Sequence, residues 1–439
     1  MSTFKLVSPY SSKRHVIFAT TIGNALEFFD FTVYSFVGVL MSRLFFPDAS
    51  AGGQMLLVAA TFGVGFVMRP VGGLVIGFYS DRKGRKAGLL LTIALMALGS
   101  LLIGVAPTYQ QAGPLSPVII VVARLLQGFS AGGEVGASST LMIESAAPSE
   151  RGYYSSWQFA SSSLGVLLGA LVTAALTTAL SQESFESWGW RTPFLLGALI
   201  APVGWYIRRS TEETLQFHNN ARVTPHDEEA HAWTEVTHSA KASTSTSRWR
   251  AALSGVLLVG GGITTSYTVT FFIPTYAIRQ LGLPPSSGLM AAVVCGCVGF
   301  LSAPFVGMAS DKVGRKPLIL WARALSIFAI FPCFVWLNAQ PSNARLLAVL
   351  IVLGVLLSMQ MTPIITMVSE MYPRANRVTG MSVVYGLGVS VFGGFAQFIN
   401  TWLVQLTGSR MAPAWYLSVV LVVSSIALIG FRDRTRDVI

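Results

Sequence analysis

Gly77-Phe78-Tyr79-Ser80-Asp81-Arg82-Lys83-Gly84-Arg85-Lys86 recurs 230 positions later as Gly307-Met308-Ala309-Ser310-Asp311-Lys312-Val313-Gly314-Arg315-Lys316. In each copy an aspartate precedes a glycine by three and an arginine by four, between two apolar stretches. The glycine permits a tight loop joining two helices. The basic residues hold that loop in water beside anionic lipid. A second echo sets Glu144 with Arg151 against Glu370 with Arg377, each pair seven apart. A charged turn found once reads as an anchored turn. Found twice, at matching places in a duplicated chain, it predicts a pair of gates. Asp81, Arg85, Asp311 and Arg315 are then the gating residues. The two aspartates are expected to cap the next helix or to pair with a basic residue across the half.

The stretches around these loops decide the class of protein. The 439 residues are 52% apolar and only 11% charged, with mean hydropathy +0.60. A soluble domain carries about 25% charge, so this chain lacks a polar skin, and most soluble enzyme classes are excluded. A bilayer-spanning helix needs roughly 20 apolar residues. Twelve such runs are present, at 16–40, 54–79, 87–106, 117–142, 153–179, 191–207, 250–274, 287–309, 317–337, 344–368, 380–404 and 414–431. The expected fold is an all-α membrane protein, with twelve transmembrane helices in two six-helix bundles related by a pseudo-two-fold repeat. Residues 1–207 form the N-terminal bundle, 208–249 a cytoplasmic linker, and 250–439 the C-terminal bundle. The first run follows Lys13, Arg14 and His15 and has no small-residue cleavage site, so it reads as a retained helix.

The basic residues set the orientation. With the N-terminus inside, 22 of the 30 Lys and Arg fall on the inner side and five, Arg43, Arg191, Arg279, Arg345 and Arg410, on the outer side. This positive-inside bias puts both termini in the cytoplasm of a multi-pass protein of the plasma (inner) membrane. It also accounts for the net charge of +11 as an attraction to lipid rather than to nucleic acid. Trp188, Trp190, Trp336, Trp402 and Trp415 are placed for an outer aromatic belt. The linker holds His218, His226, His231 and His238; it reads as solvated chain, with pH sensing the alternative. Cys295, Cys297 and Cys333 lie in apolar runs and offer neither a disulfide framework nor zinc spacing. The Gly260-Gly261-Gly262 run lacks a following Lys-Ser/Thr, so no nucleotide loop is present. No cofactor or metal is called for, and the chain is expected to be a monomer.

Ionisable groups inside a membrane are costly and therefore functional candidates. Outside the loops these are Glu27, Asp30, Arg69, Arg124, Glu134 and Arg323, whose formal sum is zero. Asn24, Glu27 and Asp30 follow one another at spacings of three on the first helix, with Tyr34 one turn beyond Asp30. No histidine is embedded, so the proton carrier is expected among Asp30, Glu27 and Glu134. Asn24, Glu27 and Asp30 can equally serve as hard oxygen ligands for Na⁺. Arg69 stands twelve residues before Asp81, about 18 Å from the inner loop. Its counterpart in the other half is Gly299. Arg69 and Arg124 offer planar forks that bind carboxylates, which points to an organic anion as substrate. Gly128 and Gly132 follow Arg124 at i+4 and i+8 and give a smooth helix face for close packing. Arg323 stands near the inner end of the ninth helix, where it can snorkel to the cytoplasm. Gln127, Gln158, Tyr267, Tyr276, Gln397 and Asn400 are candidate neutral groups around the substrate, alongside Asn24.

The paired loops resemble the signature loop of the major facilitator superfamily, as does Arg124-Leu125-Leu126-Gln127-Gly128 on the fourth helix. Gly23-Asn24-Ala25-Leu26-Glu27-Phe28-Phe29-Asp30-Phe31, Gln127 to Glu134, and Trp188-Gly189-Trp190-Arg191-Thr192-Pro193-Phe194 resemble its metabolite:proton symporter family. The fifth helix lacks the Gly-Pro pair of the antiporter branch. Phe272-Ile273-Pro274-Thr275-Tyr276 and the segment from Phe392 to Gly408 are most similar to the citrate and tricarballylate carriers. The resemblance implies alternating access and symport of citrate or a related di- or tricarboxylate with H⁺. The alternatives it leaves are proline/betaine, 2-oxoglutarate and shikimate carriers. A membrane receptor without transport is the reading from another class, and a 42-residue linker is a small sensory domain for it.

Overall fold

The computed structural model describes residues 13–210 and 245–431, together with Asp433 and Thr435. The His-containing part of the linker lies outside these residues. Twelve long helices form and, among the described residues, no strand. In the first half they are α1 (Lys13–Phe45), α2 (Ala51–Lys83), α3 (Arg85–Val105), α4 (Leu115–Glu144), α5 (Arg151–Ala179) and α6 (Thr192–Ser210). In the second half α7 starts as Ser245–Tyr267 and continues through a π-helical stretch, Thr268–Phe272, into Ile273–Arg279. Then come α8 (Ser286–Val313), α9 (Arg315–Ala339) and α10 (Asn343–Glu370). The helix α11 runs Arg377–Gly388, widens to a π-helix at Val389–Gly393, and resumes over Ala396–Thr407, before α12 (Ala412–Ile429). Among the described residues ten helices are long and apolar enough to cross a membrane; α1 and α6 complete the twelve. Most run past the apolar stretches because their charged ends stay helical in water.

The two π-stretches have local causes. Pro274 lacks an N–H and its ring crowds the carbonyl four residues back, so α7 widens just before it. In α11 the Gly393-Gly394 pair loosens the helix. A second proline, Pro70 in α2, leaves the Phe66 carbonyl without its helical donor. Ser390 Oγ, from the opposite half, fills that vacancy at 2.5 Å.

The bundles meet along two seams, α2 against α11 and α5 against α8. Both are built on small residues. A Cβ added at Gly307 would lie 2.5 Å from the Gly152 carbonyl, and one at Gly77 would lie 2.8 Å from the Thr379 Cα. Within the first bundle a Cβ at Gly128 would lie 1.9 Å from the Gly65 carbonyl and one at Gly132 2.0 Å from that of Arg69. The smooth face on α4 therefore seats α2 backbone against backbone, and this brings Arg69 beside α4.

Three placements differ from expectation. Trp190 is fully buried, edge-on to Phe45 at 5.8 Å, while Trp188, Trp336, Trp402 and Trp415 are exposed as a belt requires. Arg323 does not snorkel. It is wholly buried among α7, α9 and α12, where Nη2 donates to the Leu258 carbonyl at 2.9 Å. It is thus remote from the acids of the first half. Of the two roles expected for the aspartates of the repeated loop, capping the helix that follows is not met, since α3 begins after Gly84 with no side-chain cap, while each does pair with a basic residue, Asp81 with Arg85 at 3.6 Å and Asp311 with Arg315 at 3.0 Å. The helix α9 is capped from the far end of the chain instead. Lys316 N–H donates to Asp433 Oδ2 at 3.0 Å and Arg315 N–H to Thr435 Oγ1 at 3.2 Å. Burial works against the Asp433 charge, but donors from Thr435 and Lys316, with Arg315 nearby, hold its carboxyl below the usual range. Its contribution to stability is therefore present at neutral pH and fades as pH falls through that lowered value.

Candidate functional site

Successive spacings of three turn the α1 side chains by roughly 60° each, so the three polar groups fan out to three neighbours. Asn24 Nδ2 donates to α5, at 2.8 Å to the Gln158 carbonyl, 2.8 Å to Ser161 Oγ and 2.7 Å to Ser162 Oγ. Glu27 Oε1 accepts from Arg69 Nη2 of α2 at 2.5 Å. Asp30 Oδ2 accepts from Gln127 Nε2 of α4 at 2.8 Å and from Ser100 Oγ of α3. All are buried. Among the described residues Asn24 Oδ1, Glu27 Oε2 and Asp30 Oδ1 have no hydrogen-bond partner. The three side chains do not converge, and among the described residues no three His, Cys, Asp or Glu gather as metal ligands would.

Both arginines are set against aromatic faces. The Arg69 guanidinium lies 5.1 Å from the Phe31 ring centre and 4.9 Å from that of Phe66. Tyr267 and Tyr385, from the opposite half, are within electrostatic reach of it. Arg124 lies 3.5 Å over the Tyr34 ring, and its Nη1 donates to Gln127 Oε1 at 2.8 Å. Tyr34 in turn shares a 2.6 Å hydrogen bond with Thr61. Asp30 and Arg124 are therefore joined through one amide, whereas Glu27 and Arg69 touch. Glu134 is buried one layer inward and accepts from Thr92 Oγ1. With Arg323 elsewhere, this cluster holds three carboxylates against two arginines rather than a neutral set.

Of the remaining candidates, Tyr267 faces the cluster, with its ring 5.7 Å from that of Phe66. Gln158 Oε1 accepts from Ser138 at 2.8 Å, bracing α4 against α5. Tyr276 donates to Asn338 at 2.6 Å, and Asn400 Nδ2 to Thr268 Oγ1 at 3.2 Å, both inside the second bundle. Gln397 lies half-buried one turn from Asn400. These hydrogen bonds draw Tyr276 and Asn400 away from the arginines. A cleft opens between α1, α5, α7, α8 and α10, walled by Phe28, Phe159 and Phe271 and dotted with Ser162, Ser163, Ser266 and Thr270. Neither arginine lines it; Asn24, bonded to Ser162, connects it to the cluster. Sequence reading missed Ser100 and Tyr385. A serine in a helix ordinarily bonds its own backbone, as Ser100 also does to the Met96 carbonyl, so nothing local singled it out. Tyr385 is an intramembrane tyrosine of the kind that drew attention to Tyr267.

At the rim the two halves hold each other crosswise. Asp81 accepts from Thr379 N–H at 2.9 Å, Thr379 Oγ1 at 2.6 Å and Val378 N–H at 3.4 Å, at the start of α11. Asp311 accepts from Gly152 N–H at 2.8 Å and Tyr153 N–H at 2.9 Å, at the start of α5. Each aspartate so caps a helix of the other bundle, where free N–H groups and the helix dipole favour a carboxylate. Glu144 bridges Arg85 of its own half and Arg377 of the other at 3.3 Å each. Glu370 bridges Arg315 at 3.4 Å and Arg151 at 3.9 Å in the mirror-image arrangement. The loop glycines Gly84 and Gly314 adopt φ 106° and 104°, which favours glycine over any L-residue.

Crossed rim contacts between two six-helix bundles, with a charged cluster buried in the first, are the architecture of a membrane transporter. The chain matches the Major Facilitator Superfamily over residues 20–383 and 294–438, and it belongs to that family. It is 36% identical to a citrate-proton symporter of Salmonella typhi over 91% of this chain and 90% of that protein. It is 31% identical to a proline/betaine transporter of Salmonella typhimurium over 96% and 83% respectively. Its fold is that of the proton:xylose symporter XylE bound to 6-bromo-6-deoxy-D-glucose, with TM-score 0.81 and 17% identity over 97% of each chain. It is an integral, multi-pass membrane protein of that superfamily.

Proposed function

We propose that the protein imports citrate or a related di- or tricarboxylate together with H⁺, with both termini in the cytoplasm. The observation that carries this reading is the pair of buried arginines, each tied to a carboxylate on α1. A polyanion entering a site with three carboxylates and two arginines is repelled unless carboxylates take up protons. Protonation releases arginine forks for the substrate, and deprotonation on the inner side reclaims them. That competition links the two flows. H⁺ is favoured over Na⁺ because Asn24, Glu27 and Asp30 diverge to three helices instead of enclosing one ion. Asp81, Arg85, Asp311 and Arg315 act as the gate: the closed crosswise contacts seal the cytoplasmic side and break when the bundles rock.

A zwitterion such as proline or betaine is the second reading, since Phe31, Phe66 and Tyr267 present aromatic faces suited to a cation. The Phe31 and Phe66 faces already hold Arg69, which favours the anion. Counterflow in proteoliposomes against citrate, tricarballylate, 2-oxoglutarate, shikimate and betaine separates the two. Exchange of betaine but not of citrate would reverse the assignment. Arg124→Ala removes charge-assisted hydrogen bonds worth about 1.5–3 kcal/mol, roughly tenfold to a hundredfold in citrate Kd. Asp30→Asn should abolish accumulation under a pH gradient while exchange continues; accumulation that persists moves coupling to Glu27 or Glu134.

A further inference from the structure

Gln127 stands between Asp30 and Arg124 and is hydrogen-bonded to both. Its orientation is dictated by chemistry. Arginine can only donate and an ionised carboxylate can only accept, so Oε1 must face Arg124 (2.8 Å) and Nε2 must face Asp30 (2.8 Å), as observed. Nε2 also lies 3.1 Å from Ser100 Oγ, itself a donor to Asp30. The side chain is held in place by α3: a Cβ added at Gly99 would lie 2.5 Å from the Gln127 Cγ. Gly99 is therefore the space into which the glutamine stem fits.

We propose that Gln127 is an amide switch, a positioning residue that turns over when Asp30 gains its proton and so withdraws the acceptor that holds Arg124. This rests on Asp30 being the proton carrier and Arg124 a substrate contact. The step is balanced. A proton arriving from the outer side bonds to Asp30 Oδ2, the oxygen that faces Gln127, which becomes an O–H donor. Gln127 Oε1 then turns to accept from that O–H, and Nε2 turns toward Arg124. Two donors now face each other, and the guanidinium must take an acceptor elsewhere, which a substrate carboxylate supplies. On the inner side the proton leaves Asp30, Nε2 returns to it, Oε1 reclaims Arg124, and the anion is released.

The groups around Asp30 leave few competitors for this role. The helix α3 contributes the neutral Ser100, and α6 approaches Asp30 Oδ1 at Gly197, where an added Cβ would lie 2.9 Å away. On α4 the charge acting on Asp30 is Arg124. On α1 itself Glu27 is bound to Arg69 of α2, and Asn24 to α5.

The test is citrate affinity against pH, measured calorimetrically on purified protein, for variants that move Arg124 in opposite directions. Wild-type affinity should rise as pH falls, by up to about tenfold per unit for one linked proton. Gln127→Met, unbranched like glutamine and so compatible with Gly99, removes the acceptor. It should tighten binding at high pH and flatten the dependence. Gln127→Glu keeps an acceptor on Arg124 in both states of Asp30 and should weaken binding about tenfold or more at neutral pH. A structural role would weaken both alike, and that result overturns the switch. Asp30→Asn should bind without pH dependence. If it keeps the wild-type slope, the proton-carrier reading itself is wrong. If it loses the slope while Gln127→Met keeps it, only the switch is wrong. Isotope-edited infrared difference spectra of the glutamine side chain read the same event in the unmutated protein. A band shift between low and high pH, absent in Asp30→Asn, is expected; no shift rejects the proposal even where Gln127→Met fails to fold.

Discussion

The two halves agree at the rim and part company in the membrane. At the cytoplasmic end each has an aspartate capping the partner's fifth helix and a glutamate bridging one arginine from each half. Inside, the first half holds Glu27, Asp30, Arg69, Arg124 and Glu134, whereas the second half buries Arg323 with a single carbonyl as its hydrogen-bond partner. At the place where α4 carries Glu134, the aligned position of α10 carries Gln360, which donates to Ser326 at 2.8 Å. The rim must close symmetrically for two bundles to rock, so both copies keep the same chemistry. On the proposed reading the interior needs only one set of charges to bind substrate and proton, and a second set would add desolvation cost without function. The two halves thus share the chemistry of the rim, and only the first carries the cluster of acids and arginines.

The largest effect expected from breaking this asymmetry is at Arg69. Arg69→Ala leaves Glu27 buried without its partner, a loss of about 3–5 kcal/mol. It should appear as a lowered unfolding temperature in detergent, with Glu27→Gln in the same chain restoring much of it. A double variant no more stable than the single one would show that the 2.5 Å contact is not what holds α1 to α2.

The rim contacts sharpen the symmetric side of the comparison. Asp81→Asn and Asp311→Asn each remove a carboxylate from a helix N-terminus, worth about 1 kcal/mol or roughly fivefold in the ratio of closed to open rims. Asp81→Asn should be the larger, because Asp81 accepts three hydrogen bonds from the opposite bundle, from Thr379 N–H, Thr379 Oγ1 and Val378 N–H, whereas Asp311 accepts two, from Gly152 and Tyr153 N–H. Distances between spin labels across the cytoplasmic face report the populations. An unchanged distribution in both variants would reduce the repeated loop to an anchored turn.

The smallest effect belongs to Arg323. Replacing a buried arginine that has no carboxylate partner by Arg323→Met should leave stability within about 1 kcal/mol or raise it, and citrate counterflow should persist. A loss as large as that of Arg69→Ala would mean the second half carries a charged site of its own.

Much of the architecture was legible because lipid imposes a simple rule: backbone groups must be satisfied within the spanning segment. Apolar runs of about 20 residues therefore announce helices one by one, and the twelve runs, the repeated loops and the set of buried charges were all visible in order. Gly128 and Gly132 were legible as a packing face for the same reason, since their lack of side chain acts locally. The Trp190 and Arg323 placements were not, because hydropathy records how apolar a segment is and not which side of a helix meets protein.

The sequence by itself determined that this is a twelve-helix, two-bundle membrane protein with a duplicated charged rim and a cluster of acids and arginines in its first half. Tertiary structure alone decided the partners. Asp81 and Asp311 reach across to the opposite bundle, Glu27 takes Arg69 directly, Asp30 takes Arg124 through Gln127 with Ser100 beside it, and Tyr385 arrives from the far half. The physical reason is range. Helix formation and membrane insertion depend on neighbours within a few turns, whereas a charge inside the bilayer takes whichever complementary group packing brings within about 3 Å, and that group lies on another helix dozens to hundreds of residues away.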